Sequence, residues 1–256
     1  MHRTGKRRRP AARGGGPDAA DWAREKLGLE ADAAQARVLR TKGKRVILNC
    51  TRQWGKSTVT AAKALHHAAT TAGSLTIVAS PSARQSAEFV RKAVTFARRL
   101  GMRARSDGSQ AISLVLPNGS RIVGIPGRAA TVRGFSAVSL LIVDEAARVD
   151  DELYQTVRPM LAVSDGALWL MSTPNGKQGF FWETWEKGGE DWERVRVTAE
   201  ECPRIPQSFL EEERRTMGEA MYAQEYGCEF RNAERGVFDP EVVAAAFTDE
   251  VEPLRI

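Results

Sequence analysis

Apolar residues are distributed along the chain in two alternating rhythms. Short, mostly apolar runs over 46–50, 75–79, 139–143 and 168–171 each stop at small or polar residues, the pattern of strands buried on both faces. Between them lie longer stretches with helical spacing of apolar positions: 56–72, rich in alanine and closed by Gly73, then 83–100 and 151–161. Two further runs, 112–116 and 121–125, are joined by Pro117-Asn118-Gly119 and predict a hairpin with an Asn-Gly turn. Ahead of the first strand, Trp22, Leu27, Leu29, Val38 and Leu39 are spaced for two helices or turns with a buried face. A last strand is predicted over 192–197, followed by a charged, helical stretch over 207–226. The alternation predicts an α/β fold whose mostly parallel central sheet carries helices on both faces.

Composition changes the picture mainly at the ends. Residues 1–17 combine Arg3, Lys6, Arg7, Arg8, Arg9 and Arg13 with a Gly-Gly-Gly-Pro run, too polar to pack, and are expected to form a disordered basic tail. Such a tail reads equally as a solvated end or as a holder of DNA phosphates or a partner protein. Three parts are expected: the tail over 1–17, an ordered domain over 18–232 with a helical C-terminal portion, and a linker over 233–256. The 38 basic against 32 acidic residues leave a formal charge of +6, compatible with a polyanionic partner but no proof of one. Cys50, Cys202 and Cys228 form no CxxC pair, which argues against a disulfide framework or a zinc knuckle. The adjacent His66 and His67 point apart on a helix and cannot share a metal. With no membrane-length apolar run and no apolar signal core at the amino terminus, a soluble, unexported protein is expected.

The chemistry is concentrated at two strand ends. Cys50-Thr51-Arg52-Gln53-Trp54-Gly55-Lys56-Ser57 follows the pattern GxxxxGK[ST], with cysteine in place of the first glycine, and lies between a predicted strand and a predicted helix. A loop of this kind cradles phosphates with backbone N–H groups and a helix amino terminus, while Lys56 neutralises the β and γ groups and Ser57 holds Mg²⁺. Thr51, Arg52, Gln53, Trp54, Gly55 and Thr58 complete the candidate nucleotide-binding segment, although Trp54 is expected to be buried against a helix rather than packed on the nucleotide. The run ending at Val143 leads directly into Asp144-Glu145, placing Asp144 to reach Mg²⁺ and Glu145 to act as general base toward an attacking water. A glutamate next to the metal aspartate points to the catalytic-glutamate, RecA-like branch of P-loop NTPases and to Mg²⁺-dependent ATP hydrolysis. In Ser172-Thr173-Pro174 a strand stops on two hydroxyls, candidates for sensing the γ-phosphate or the water.

Arg-Gln-x-Gly-Lys-Ser in the loop, Asp-Glu-Ala-Ala after one strand and Ser-Thr-Pro-Asn-Gly after the next together resemble the large terminase subunit of tailed bacteriophages, from about Gln35 to Phe238. The segments Glu211-Glu212-Glu213-Arg214-Arg215, Gln224-Glu225-Tyr226 and Gly236-Val237-Phe238 look like the part joining that family's ATPase to its nuclease. The resemblance implies an ATPase motor domain that moves double-stranded DNA into a procapsid, with the capsid portal protein and the small terminase subunit as partners. It implies a homo-oligomeric ring when assembled, a monomer being the alternative for the isolated domain, in the cytoplasm of a bacterial host. It further implies that Gln35 reads adenine, that Arg52 is the loop arginine, and that Arg133 is an arginine finger reaching a neighbouring subunit, with Arg128 as the other candidate. Ala34 stands where the family carries an aromatic residue before that glutamine. No space remains for the nuclease, so an isolated ATPase domain or a truncated product is expected, without DNA cleavage. Two other functions stay open on the residues: a helicase-like or remodelling DNA-dependent ATPase, and a nucleotide-binding DNA-interaction module without catalysis.

Overall fold

Every second residue of a strand faces the same side of its sheet, and the apolar positions of this chain sort accordingly. The computed structural model describes residues 18–102, 112–125, 127 and 134–232. Among these residues there are seven strands: β1 (Arg45–Cys50), β2 (Leu75–Ala79), β3 (Ile112–Val115), β4 (Arg121–Ile125), β5 (Leu140–Asp144), β6 (Ala167–Ser172) and β7 (Glu193–Val197). They form one sheet in the order β3-β4-β2-β5-β6-β1-β7, in which only β3 runs antiparallel to its neighbour. Val46, Leu48, Val78, Ile142, Trp169 and Met171 face one layer, built from α1 (Ala19–Leu27), α2 (Ala33–Arg40), α3 (Lys56–Thr70) and α4 (Ala83–Arg99). Ile47, Ile77, Leu141, Val143, Leu168 and Leu170 face the other, where α5 (Asp151–Val157) supplies Leu153 and Val157 and α6 (Gly179–Lys187) supplies Phe180 and Phe181. The mostly parallel sheet with helices on both faces is therefore as the apolar rhythm predicts.

β1, β5 and β6 are adjacent and parallel, so their carboxyl ends open on one edge of the sheet, where α/β folds place their ligands. Asn49 pairs with Ser172 and Asp144 with Met171 in register, which brings the ends of the three strands level. Two last helices, α7 (Gln207–Met217) and α8 (Glu219–Glu225), hold a small separate cluster of Leu210, Tyr222, Tyr226 and Ala199.

Several boundaries depart from the sequence reading. The helix expected over 151–161 is α-helical only to Val157 and tightens into a 3-10 turn over Arg158–Leu161, because Pro159 has no N–H to continue the ladder. The helical stretch over 207–226 divides at Gly218, whose φ of 80° and ψ of 161° lie outside helical space. Helix α6 is absent from the sequence reading; it is short, opens on Gly179 and carries aromatics of low helix propensity, and its burial under the sheet is what makes it form. The basic tail over 1–17 and the linker over 233–256 lie outside the described residues. All three cysteines are free and buried, and among the described residues no helix is long and apolar enough to cross a membrane.

Candidate functional site

The loop after β1 turns back sharply enough to start α3 within five residues, and two left-handed positions make the turn possible: Gln53 at φ 61° and Gly55 at φ 97°. Glycine is required at the second, since a Cβ there would stand 3.2 Å from the Gln35 amide nitrogen. Position 50 makes no such demand. Cys50 is the last residue of β1, outside the left-handed set, with its side chain fully buried, so cysteine serves where the motif usually has glycine. Burial pushes the Cys50 thiol well above its ordinary range and the Cys228 thiol up to about 12, which makes both of them packing groups without nucleophilic character.

Helix α3 opens at Gly55 with no side chain capping its N–H groups, and Gly55, Lys56, Ser57 and Thr58 line a cleft of about 450 Å³. Arg52 and Gln53 line it from the loop, Glu145 and Arg148 from the segment after β5, and Gln85 and Lys92 from α4. Lys56 is largely buried, and its ammonium donates to the Cys50 carbonyl at 2.8 Å and the Thr51 carbonyl at 3.0 Å. Ser57 Oγ donates to Asp144 Oδ2 at 3.2 Å, joining residues 87 positions apart in sequence.

Asp144 is 5% exposed, and burial together with the neighbouring Glu145 carboxylate raises its pKa to about 6, against the lowering influence of Lys56, Ser57 and Lys92. Glu145 itself adopts a left-handed backbone, φ 53° and ψ 42°, rare for a residue with a side chain and a local strain that the surrounding strand ends hold in place. Its Oε2 lies 3.5 Å from Ser172 Oγ and 3.4 Å from Arg148 Nη1, while Arg148 Nη1 also donates to Thr173 Oγ1 at 3.2 Å. Ser172 and Thr173 are thus both buried beside the carboxylate. As a donor set, the Ser57 hydroxyl and the Asp144 carboxylate suit a hard divalent cation, and a cation would relieve the charge that burial disfavours on Asp144.

Not every expected residue reaches the cleft. Gln35 is buried and does not line it: its Oε1 accepts from Asp32 N–H at 3.1 Å in a capping box on α2, and its Nε2 donates to the Trp54 carbonyl at 2.8 Å. In this arrangement Gln35 acts on the site through the loop backbone, in company with Arg204, whose guanidinium donates to the same carbonyl at 2.6 Å and to Asp32 Oδ2 at 2.9 Å. The Trp54 ring is fully buried in the core under α1 to α4, and Thr51 is buried with its hydroxyl donating to the Glu225 carbonyl at 3.2 Å. Arg133 and Arg128 lie outside the described residues. Four side chains absent from the sequence reading of the site belong to it by contact: Gln85, Lys92, Arg148 and Glu225. Glu225 pairs with Arg52 at 2.6 Å and with Arg148 at 3.1 Å, so it stands behind two of the arginines that line the cleft. The one available signal was Arg148 standing one turn after Glu145. The others come from distant elements.

The sequence matches the family described as terminase large subunit, T4likevirus-type, N-terminal, over residues 47–242. No curated protein sequence matches. Among solved structures, the large terminase ATPase domain of Thermus phage P74-26 superposes with a TM-score of 0.73 at 22% identity, covering 82% of this chain and 98% of that one. The large terminase of a second thermophilic bacteriophage superposes in its complex with ADP at a TM-score of 0.66 and 14% identity, over 88% of this chain and 56% of that one. In the complex of the same protein with ATP-gamma-S the TM-score is 0.61 at 13% identity, over 84% and 51%. At these identities the superpositions establish the fold, and this chain spans little more than half the length of that second terminase.

Proposed function

This chain belongs to the family of T4likevirus-type large terminase subunits, matching their N-terminal part as the ATPase motor domain of DNA packaging, and from that premise we propose how its cleft hydrolyses ATP. The observation that carries the reading is the meeting of Lys56, Ser57, Asp144 and Glu145 at one cleft, fed by the ends of adjacent parallel strands. The thermophilic-phage terminase structures with ADP and ATP-gamma-S lend support, since the same fold holds adenine nucleotides there.

The loop amides and the uncapped start of α3 take the phosphates. Lys56 exchanges the Cys50 and Thr51 carbonyls for β- and γ-phosphate oxygens, neutralising charge that grows as the terminal phosphoryl departs. Glu145 accepts a proton from the water that attacks the γ-phosphorus; the new P–O bond forms as the bond to the β-phosphate oxygen breaks, and ADP leaves with that electron pair. Ser57 and Asp144 would hold Mg²⁺, which would supply neutralisation of the phosphate charge. Ser172 and Thr173, packed beside Glu145 and Arg148, register the change in the pocket and pass it to the segment after β6. Arg52 contributes a second cation from the loop.

Double-stranded DNA, the portal protein and the small terminase subunit are the proposed partners, engaged by a ring of copies in the host cytoplasm; phosphate contacts would grip the duplex without sequence preference. Replacing Glu145 with alanine is expected to leave ATP binding intact and to lower turnover by about 10²- to 10⁴-fold, the usual contribution of a positioned base. Nucleotide affinity is read by titration and turnover by phosphate release; a variant that turns over at the wild-type rate removes Glu145 from the reaction.

A further inference from the structure

Of the four lysines and arginines among the described residues that line the cleft, three already have protein partners. Lys56 donates to two carbonyls, and Arg52 and Arg148 are ion-paired with Glu225. Lys92 is the fourth. It is half-buried, and among the described residues it makes no hydrogen bond and no ion pair. A half-buried cation without a counter-ion gains more from an incoming anion than one already paired, because no existing contact has to be broken first.

The helix beneath Lys92 fixes where its side chain starts. Helix α4 is capped by Ser82 and buries Phe89, Val90, Ala93 and Ala97, so its flank cannot rotate without unpacking the core. Gln85 and Lys92, about two turns apart on that flank, both line the cleft. The Gln85 side-chain oxygen accepts from Ser82 Oγ at 2.8 Å, which leaves its amide N–H groups as the part that can donate to a ligand. Along the edge of the sheet the strands run β2, β5, β6, β1, with the phosphate loop after β1 and α4 after β2. Helix α4 therefore stands beyond Asp144 and Glu145, at the far side of the cleft from the loop. A phosphate chain that begins on the loop amides and runs toward Asp144 meets α4 with its terminal group. In keeping with that placement, the Lys92 charge is felt at Asp144, where it acts to lower the pKa that burial raises.

We propose that Lys92 is a specificity-determining residue whose ammonium binds the γ-phosphate of ATP from the α4 side of the cleft, so that the site takes a triphosphate in preference to a diphosphate. ADP, one phosphate shorter, ends before it reaches α4 and leaves Lys92 unpartnered. An ammonium on a flexible stem suits this task, since it acts as a point charge and does not require the fixed paired geometry of a guanidinium. The role rests on the reading of the cleft as an ATP site, and it adds a contact that neither the loop pattern nor the Asp144-Glu145 pair supplies.

Wild type, Lys92→Gln and Lys92→Arg are titrated with ADP and with a non-hydrolysable ATP analogue, Mg²⁺ present throughout. Loss of the charge is expected to weaken the analogue about tenfold and ADP by less than about twofold, and arginine is expected to recover most of the loss. A second measurement needs no variant: acetylation of the Lys92 amine in wild type, followed by mass spectrometry, should slow when the analogue is bound and stay unchanged with ADP. A glutamine variant that loses the same factor for both nucleotides, or nothing for either, overturns the proposal. So does acetylation that the analogue leaves unchanged, or that duplex DNA slows in the absence of nucleotide, since a DNA phosphate would then be the anion. Should the variants fail to fold, the acetylation measurement decides alone. If wild type binds neither nucleotide, the ATP reading itself fails and Lys92 loses its role with it; if wild type binds both and Lys92→Gln changes nothing, only the role of Lys92 falls.

Discussion

At Asp144 two requirements oppose each other: the proposed cation site wants a carboxylate, yet the end of β5 is buried and already adjacent to Glu145. The result is a pKa near 6 in the folded, metal-free protein. The folded state holds that proton more tightly than the unfolded chain, whose carboxyl stays at its ordinary value of 3.8. The contribution of Asp144 to stability is therefore complete below about pH 4 and is lost as the pH rises through about 6. Asp144→Asn, which removes the charge and little else, should make the metal-free domain more stable than wild type at pH 8, by at most about 3 kcal/mol for a shift of this size. The difference should shrink toward pH 4. Denaturant melts of both proteins at several pH values measure it, and a wild type as stable as the variant at pH 8 would contradict the assignment of burial as the cause. Lys56 shows the complementary arrangement, a buried ammonium kept in place by the Cys50 and Thr51 carbonyls.

Among elements, the unit of β1, loop and α3 shows how little of a motif's wording is sterically compulsory. Cys50 at the first glycine position is accommodated because the chain there is still a strand. Gly55 is compulsory, through its left-handed backbone and the Gln35 amide 3.2 Å from where a Cβ would stand. Gly55→Ala should cost about 1–3 kcal/mol, the range for a residue held in a sparsely populated backbone region. It should also weaken nucleotide binding, because the Gln35 contact to the Trp54 carbonyl must give way. Thermal melts with and without ATP check both effects; an alanine variant as stable and as tightly binding as wild type would show the loop to be more adaptable than this geometry allows.

For the whole molecule, the sheet order sets the division of labour. The central strands β5, β6 and β1 carry the cleft at one edge, one face is covered by α1 to α4, and α8 reaches back from the far end of the chain to the loop. Catalysis that also needs an arginine from another copy would appear only on assembly. Turnover per molecule should then rise steeply with protein concentration, and more so with duplex DNA present. Mixing Arg133→Ala with Glu145→Ala subunits should restore part of the activity that each lacks alone. A flat concentration profile together with no recovery in the mixture would place catalysis within a single chain.

The amino-acid sequence alone determined the seven strands of the described residues within a residue or two and their mostly parallel arrangement, and it singled out Lys56, Ser57, Asp144 and Glu145 as a candidate set, because each is announced locally: buried strands by apolar runs, the phosphate loop by a short pattern between strand and helix, the acid pair by its place at a strand end. Tertiary structure decided what depends on distant segments meeting. Glu225 gains its partners from residues 173 and 77 positions away, and nothing in the spacing around Gln224-Glu225-Tyr226 encodes them. The same holds for Gln35, whose amide is committed to its own helix cap and to the loop, for Trp54, drawn into the core by burial of its ring, and for α6, which forms because the sheet needs an apolar cover. Local periodicity carries the preferences of the backbone; pairing of charges across the fold is set by packing, which only the assembled chain possesses.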